Sequence, residues 1–186
     1  MQPNELARRV VQSRAGGRVE RCHGLPHNGS YNNAAHSWGV AMLMLQLWPD
    51  SFPRLAAVCL AHDVPEAWTG DIPSPTIRFA PPGFKKAIAE MEVRLLEDLG
   101  LPNEHDLTGE DYAKVKACDR LELYLWCREQ VDMGNRFAME FLNELDRYLE
   151  QSVLPAAADA LYRQLKITDT VARQQGVMEE ICDGIR

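Results

Sequence analysis

The strongest constraint on this chain is a 3.6-residue periodicity of apolar side chains, recurring with no stretch of β-branched alternation. Between Asn33 and Trp48, apolar residues crowd Ala34, Trp38, Ala41, Leu45 and Trp48, which predicts a helix burying that stripe. Pro49 to Pro53 interrupts it. Pro53 suits the first turn of a second helix, Arg54 to about Ala61, apolar nearly all round and therefore expected at the centre. Phe84, Ile88, Met91, Leu95 and Leu99 mark another helix, closed by Gly100 and Pro102. Thr108 is an N-cap candidate, with Glu110 and Asp111 favourable in the first turn of a long helix reaching Gly134. Two more helices span about Arg136 to Gln151 and Pro155 to Lys166, and a weaker one fills the C-terminus. The expected fold class is all-α: one domain over residues 1–186, with its core at about 15–150 and C-terminal helices at 155–185.

Composition narrows the partners. The 186 residues are 46% hydrophobic and 25% charged, enough apolar material for a full core. A net charge of -7 disfavours a nucleic acid polymer or an anionic membrane as the partner. The acidity is uneven: residues 1–31 carry Arg8, Arg9, Arg14, Arg18 and Arg21 against only Glu5 and Glu20. A small anion therefore remains an acceptable ligand where a polyanion does not. The N-terminus shows no apolar signal region, and the run from Trp38 to Trp48 is too short to span a bilayer. Five cysteines without a CxxC pair fit a reducing, cytoplasmic compartment, and Cys59 and Cys118 read as buried small hydrophobes.

Four residues carry chemistry inside apolar helices: His36, the His62-Asp63 pair closing the second helix, and Asp119. Two imidazoles and two carboxylates suit Mn, Fe, Co, Ni or Zn better than Mg, which prefers oxygen ligands alone. Asp119 sits amid Ala117, Cys118, Leu121 and Leu123, where a carboxylate needs a cation or a strong partner. A proline- and glycine-rich connection from Pro65 to Gly83 follows the His-Asp pair, and long loops in compact domains tend to be functional.

The string His62-Asp63-Val64-Pro65-Glu66-Ala67-Trp68-Thr69-Gly70-Asp71-Ile72-Pro73, with His36 before it and Asp119 after it, resembles the HD-domain metal-dependent phosphohydrolases. Its HDxxExxxGDxP pattern is similar to bacterial 5′-deoxynucleotidases and to small phage deoxynucleoside triphosphate triphosphohydrolases. The resemblance implies an all-α, metal-dependent hydrolase of nucleotide phosphoesters, commonly a homo-oligomer, in the cytoplasm of a cell or a phage-infected host. It makes His36, His62, Asp63 and Asp119 metal ligands and Glu66 the acidic catalytic residue beside the metal. It also implies that Arg21 holds substrate, that Asp71 meets the sugar, and that Lys116 binds phosphate. Arg78, adjacent to a position where relatives often have lysine, is a further phosphate clamp.

The chemistry coheres. A divalent ion lowers the pKa of its bound water and polarises a phosphoryl oxygen. Glu66 could orient or deprotonate that water, or protonate the leaving group. Lys116 and Asp119, three residues apart on a helix, can face one cavity.

The chain departs from its relatives at Ala35, where many carry an acid just before the ligand histidine, at Cys22, where close relatives have an aromatic residue, and at Gly24. These bear on base selectivity and on what orients the ligands. His23 and His27 are loop candidates for phosphate contact. Glu122, three residues beyond Asp119, could support the ligands from behind, although a helix-surface ion pair is the favoured reading, and the four tryptophans read as core. The expected reaction is 5′-phosphoester hydrolysis of a deoxynucleoside monophosphate or triphosphate, with Lys116, Arg78, Lys85 and Lys86 as cations available to the longer phosphate chain. The rivals are an HD-domain oxygenase using two irons and a non-catalytic nucleotide-sensing domain.

Overall fold

The computed structural model describes residues 3–167, which form nine α-helices and one 3-10 turn, with no strand among them. In order these are α1 (Pro3–Gly16), α2 (Asn33–Leu47), α3 (Phe52–Ala61), α4 (Glu66–Thr69), α5 (Ser74–Phe79), α6 (Phe84–Leu99), the turn Glu104–Asp106, α7 (Gly109–Asp132), α8 (Phe137–Gln151) and α9 (Ala156–Ile167). The all-α expectation holds. The weaker C-terminal helix lies outside the described residues.

Local chemistry sets the boundaries. The Asn32 side chain caps α2 by accepting from Ala35 N, and Thr108 Oγ1 caps α7 by accepting from Asp111 N. Pro53 stands in the first turn of α3, where its missing N–H costs nothing.

Helix α2 packs against both α3 and α7, and α7 continues onto α8 and α9. One cluster of buried side chains, including Val40, Met44, Leu55, Cys59, Val115 and Cys118, joins α2, α3 and α7. A second, including Leu121, Tyr124, Leu142, Leu149 and Tyr162, joins α7 to α8 and α9. Asp119 lies between Cys118 and Leu121, at the junction of the two cores.

Three expectations are corrected. The buried face of α2 is His36, Ser37, Val40, Ala41 and Met44, while Trp38 is 65% exposed. That helix is apolar all round and carries no charge, so hydropathy alone cannot select its inward face. Trp68 is also exposed and Trp48 half-buried, leaving Trp126 as the core tryptophan. The segment from Pro65 to Gly83 is not one loop but is interrupted by α4 and α5, neither of which buries a residue.

Helix α1 has no counterpart among the sequence expectations. Leu6, Val10 and Val11 are exposed, so its apolar pattern is weak. It is held by the Arg8–Asp98 ion pair at 2.7 Å and by its last residue, Gly16. A Cβ on Gly16 would stand 2.7 Å from Val64 Cα, so only glycine lets the end of α1 rest on the backbone after Asp63.

Candidate metal centre

Three packed helices bring the four candidate ligands together. His36 points inward from the first turns of α2, His62 caps the C-terminus of α3 with Asp63 next to it, and Asp119 comes from the middle of α7. One ligating atom each from His36, His62 and Asp63 can lie within 4.8 Å of the others. Asp63 Oδ2 is 3.5 Å from His36 Nε2 and 3.3 Å from His62 Nε2. Asp119 Oδ1 is 3.2 Å from His36 Nε2 and 4.0 Å from His62 Nε2, so the fourth candidate joins the same cluster.

The imidazoles are set up alike. His62 Nδ1 donates to the Cys59 carbonyl at 3.0 Å, which fixes the proton there and leaves Nε2 with its lone pair. His36 Nδ1 is hydrogen-bonded to the Glu122 carboxylate. Both Nε2 atoms are buried and hydrogen-bonded to nothing. Two orphaned imidazole nitrogens facing two carboxylates match the donor set of a borderline divalent ion.

The electrostatics favour positive charge at this point. Burial opposes charging of His36, but the adjoining Asp119 and Glu122 carboxylates outweigh it and raise its pKa to about 9. Burial likewise opposes ionisation of Asp119. The Lys116 ammonium 2.6 Å away overrides it, with His36, and holds the carboxyl well below the usual carboxylate range. Asp63 is also lowered against its burial, by the neighbouring His62 and Arg21 side chains.

Glu66, on the first turn of α4, sits beside this cluster. Its Oε2 accepts from Asn33 Nδ2 at 2.8 Å and lies 3.9 Å from Arg21 Nη1. Burial, then the negative charge of Asp63, pushes its pKa up to about 8. Arg21 donates to Asp63 and, at 3.1 Å, to Asn33 Oδ1. Asn33 Nδ2 also donates to the Asp63 carbonyl at 3.1 Å, so one buried amide ties together Arg21, Asp63 and Glu66.

The remaining candidates divide. Lys116 is 2.6 Å from Asp119 and 3.5 Å from Glu104, half-buried at the edge of the cluster. Asp71 accepts from Cys22 N at 2.8 Å, holding a backbone whose φ of 52° is unusual for a side-chain-bearing residue. Arg78 stands exposed in the last turn of α5 and, among the described residues, makes no bond to the cluster. Lys85 and Lys86 are exposed on α6, where Lys86 pairs with Glu90. His23 is exposed near Asp71, whereas His27 is half-buried with its ring edge-on to Trp126.

One residue of the site, Asn33, is not read as such in the sequence, and a second, Glu122, is given there the surface ion pair over the ligand-supporting role. Asn33 looks like an ordinary helix start; its signal is a polar side chain one turn before His36 on an otherwise apolar helix. Glu122 is not a surface ion pair: it faces inward, accepting from the Tyr31 hydroxyl at 2.5 Å and bonding His36. Its signal is the i, i+3 spacing from Asp119.

A family model for YfbR-like 5′-deoxynucleotidases matches residues 17–166. The chain belongs to this family. A 5′-deoxynucleotidase of Photobacterium profundum is 31% identical over 115 residues, which is 55% of this chain and 59% of that protein. A dATP triphosphohydrolase of Salmonella phage PMBT28 is 30% identical over 131 residues, covering 61% of this chain and 63% of its own. The chain thus spans about 60% of the length of these curated relatives. The HD phosphohydrolase DatZ of cyanophage S-2L, solved bound to dA and one catalytic Zn2+ ion, superposes with a TM-score of 0.58 at 22% identity, over 90% of this chain and 98% of that one. The PH0347 protein of Pyrococcus horikoshii superposes with a TM-score of 0.64 at 20% identity, over 86% and 96%. These likenesses establish the HD-domain fold.

Proposed function

We propose that this chain is a metal-dependent phosphohydrolase that cleaves the 5′-phosphoester of deoxynucleotides. The observation that carries the reading is the convergence of two orphaned, buried imidazole nitrogens on Asp63 and Asp119, with Glu66 alongside. The substrates named for the relatives, 5′-deoxynucleotides and dATP, support the same chemistry, as does the dA and Zn2+ of the cyanophage enzyme.

His36, His62, Asp63 and Asp119 would hold the ion, with Mn, Fe, Co, Ni or Zn favoured over Mg by the mixed nitrogen and oxygen donors. A divalent ion there supplies a Lewis acid for the phosphoryl group and acidifies a coordinated water. Glu66 orients the attacking water and takes up its proton, or gives a proton to the departing 5′ oxygen. Water adds to phosphorus, the P–O5′ bond breaks, and the 5′ oxygen leaves as a hydroxyl. With a monophosphate the products are deoxynucleoside and phosphate; with a triphosphate, attack at the α-phosphorus releases intact triphosphate. Arg21 and Lys116, each already set against the ligand carboxylates, place positive charge where a phosphate would dock. Asp71, pinned beside Cys22, faces the sugar in this reading, and Arg78 is a more remote phosphate contact.

In the same reading the enzyme is a single HD domain that works as a homo-oligomer in the cytoplasm. No described helix is long and apolar enough to cross a membrane. His36, His62 and Asp63 form a group that could hold a metal ion, which supports the metal-dependent reading. The test is a panel of deoxynucleoside mono- and triphosphates with Mn, Co, Zn and Mg, assayed separately for phosphate and triphosphate. Metal-dependent release of either product is expected; a metal-loaded protein inert towards every substrate would refute the reading.

A further inference from the structure

The two imidazoles of the metal centre are oriented by different means. His62 leans on the carbonyl of Cys59, three residues back on its own helix, a partner that comes free with helical geometry. His36 has no such backbone partner and depends on a side chain from another helix.

We propose that Glu122 is the positioning residue of the metal centre, a carboxylate whose grip on His36 Nδ1 aims Nε2 at the ion and strengthens it as a ligand. This rests on the reading of His36 as a ligand. Three features show that the position of Glu122 is itself built. Its Oε2 accepts a 2.5 Å hydrogen bond from the Tyr31 hydroxyl. The Tyr31 ring is 2% exposed and stacks on Trp126, with centroids 4.3 Å apart and planes within 10°. Finally, Gly39, one turn beyond His36, leaves the space through which the Glu122 side chain passes. A Cβ there would lie 2.6 Å from Glu122 Cγ and 3.1 Å from Oε1.

Glu122 also lines a groove of about 820 Å³ between α2 and α7, with Tyr31, Trp38, Gly39, Met42 and Trp126 among others. Ligand-orienting partners typically govern metal affinity by about 10–100-fold.

The experiment titrates the purified full chain with Zn2+ by calorimetry, comparing wild type with Glu122→Gln, Glu122→Ala and Gly39→Ala. Circular dichroism melts check folding, and hydrolysis is assayed at saturating Zn2+. Glu122→Ala is expected to weaken Zn2+ binding by about 10–100-fold, and Glu122→Gln by less, because the amide oxygen can still accept from Nδ1. Gly39→Ala should weaken it too although it touches no ligand, and alanine's better helix propensity should keep the fold intact. A merely structural role would lower the melting temperature and leave the affinity of the folded protein alone. Wild-type Zn2+ affinity in all three variants would overturn the inference. It would leave the proposed reaction standing, since that reaction is judged by hydrolysis in the wild type. A wild type that binds Zn2+ but hydrolyses nothing would instead defeat the reaction and leave Glu122's role to be decided by affinity.

Discussion

The interlocked α2, α3 and α7 and the thin segment from Pro65 to Gly83 both contribute to the site, but they are held by different forces. The first region presents His36, His62 and Asp119 from helices whose inner faces, Val40, Met44, Leu55, Cys59, Val115 and Cys118, are buried. The second presents Glu66 and Asp71 from α4 and the turn after it, where neither α4 nor α5 buries a side chain. Beyond the fully buried Pro65 at its start, its attachment is polar: Glu66 to Asn33, and Asp71 to the backbone of Cys22. The contrast suits a division of labour. A metal site needs fixed distances, which close packing supplies, whereas substrate contacts benefit from a segment that yields to what it binds.

The largest effect should come from the packed region. His62→Ala removes a proposed ligand whose partner and neighbours stay in place. Losing several kcal/mol of transition-state stabilisation corresponds to a fall of about a thousandfold or more in hydrolysis. Calorimetric titration should show metal affinity lost with it. Glu66→Gln, from the second region, should cut turnover by about 10²–10⁴-fold. It should leave metal binding and melting temperature near wild type, and a parallel loss of metal would erase the proposed division.

Stability separates the regions further. Leu121→Ala, at a fully buried position between Asp119 and Glu122, should cost about 2–5 kcal/mol in denaturant unfolding. Asp71→Ala removes the acceptor that holds the unusual backbone of Cys22, and should raise KM about tenfold for a loss near 1.4 kcal/mol. Metal titration should be unchanged. Phe79→Ala, at an 84% exposed position on α5, should alter stability by no more than about 0.5 kcal/mol.

What could be read from the sequence follows the same line. Helix ends signalled by local chemistry, Pro53, Thr108 and Gly100, fall where expected, because a cap or a breaker acts within a turn. The four ligand candidates were legible because histidines and carboxylates inside apolar helices demand a partner. The inward face of α2 was not, since a helix apolar on every side gives no amphipathic signal. Helix α1 escaped notice because its anchors, Asp98 for Arg8 and Val64 for Gly16, lie 90 and 48 positions away in the chain. For Glu122 the sequence offers both a ligand-supporting role and a surface ion pair, and favours the ion pair for a related reason. Its partners Tyr31 and His36 are 91 and 86 residues distant, and its path depends on the missing side chain of Gly39. The acid absent at Ala35 was visible; the bond between Glu122 and His36 became visible only with α2 and α7 packed together.

The central claim is that the packing of α2, α3 and α7 creates one site for a catalytic divalent ion. It is tested most directly by anomalous diffraction from crystals of the full chain grown with Zn2+ or Mn2+. The account predicts a peak enclosed by His36 Nε2, His62 Nε2 and the carboxylates of Asp63 and Asp119. A protein that hydrolyses deoxynucleotides while its metal sits elsewhere, or an empty cluster at saturating metal, would contradict it.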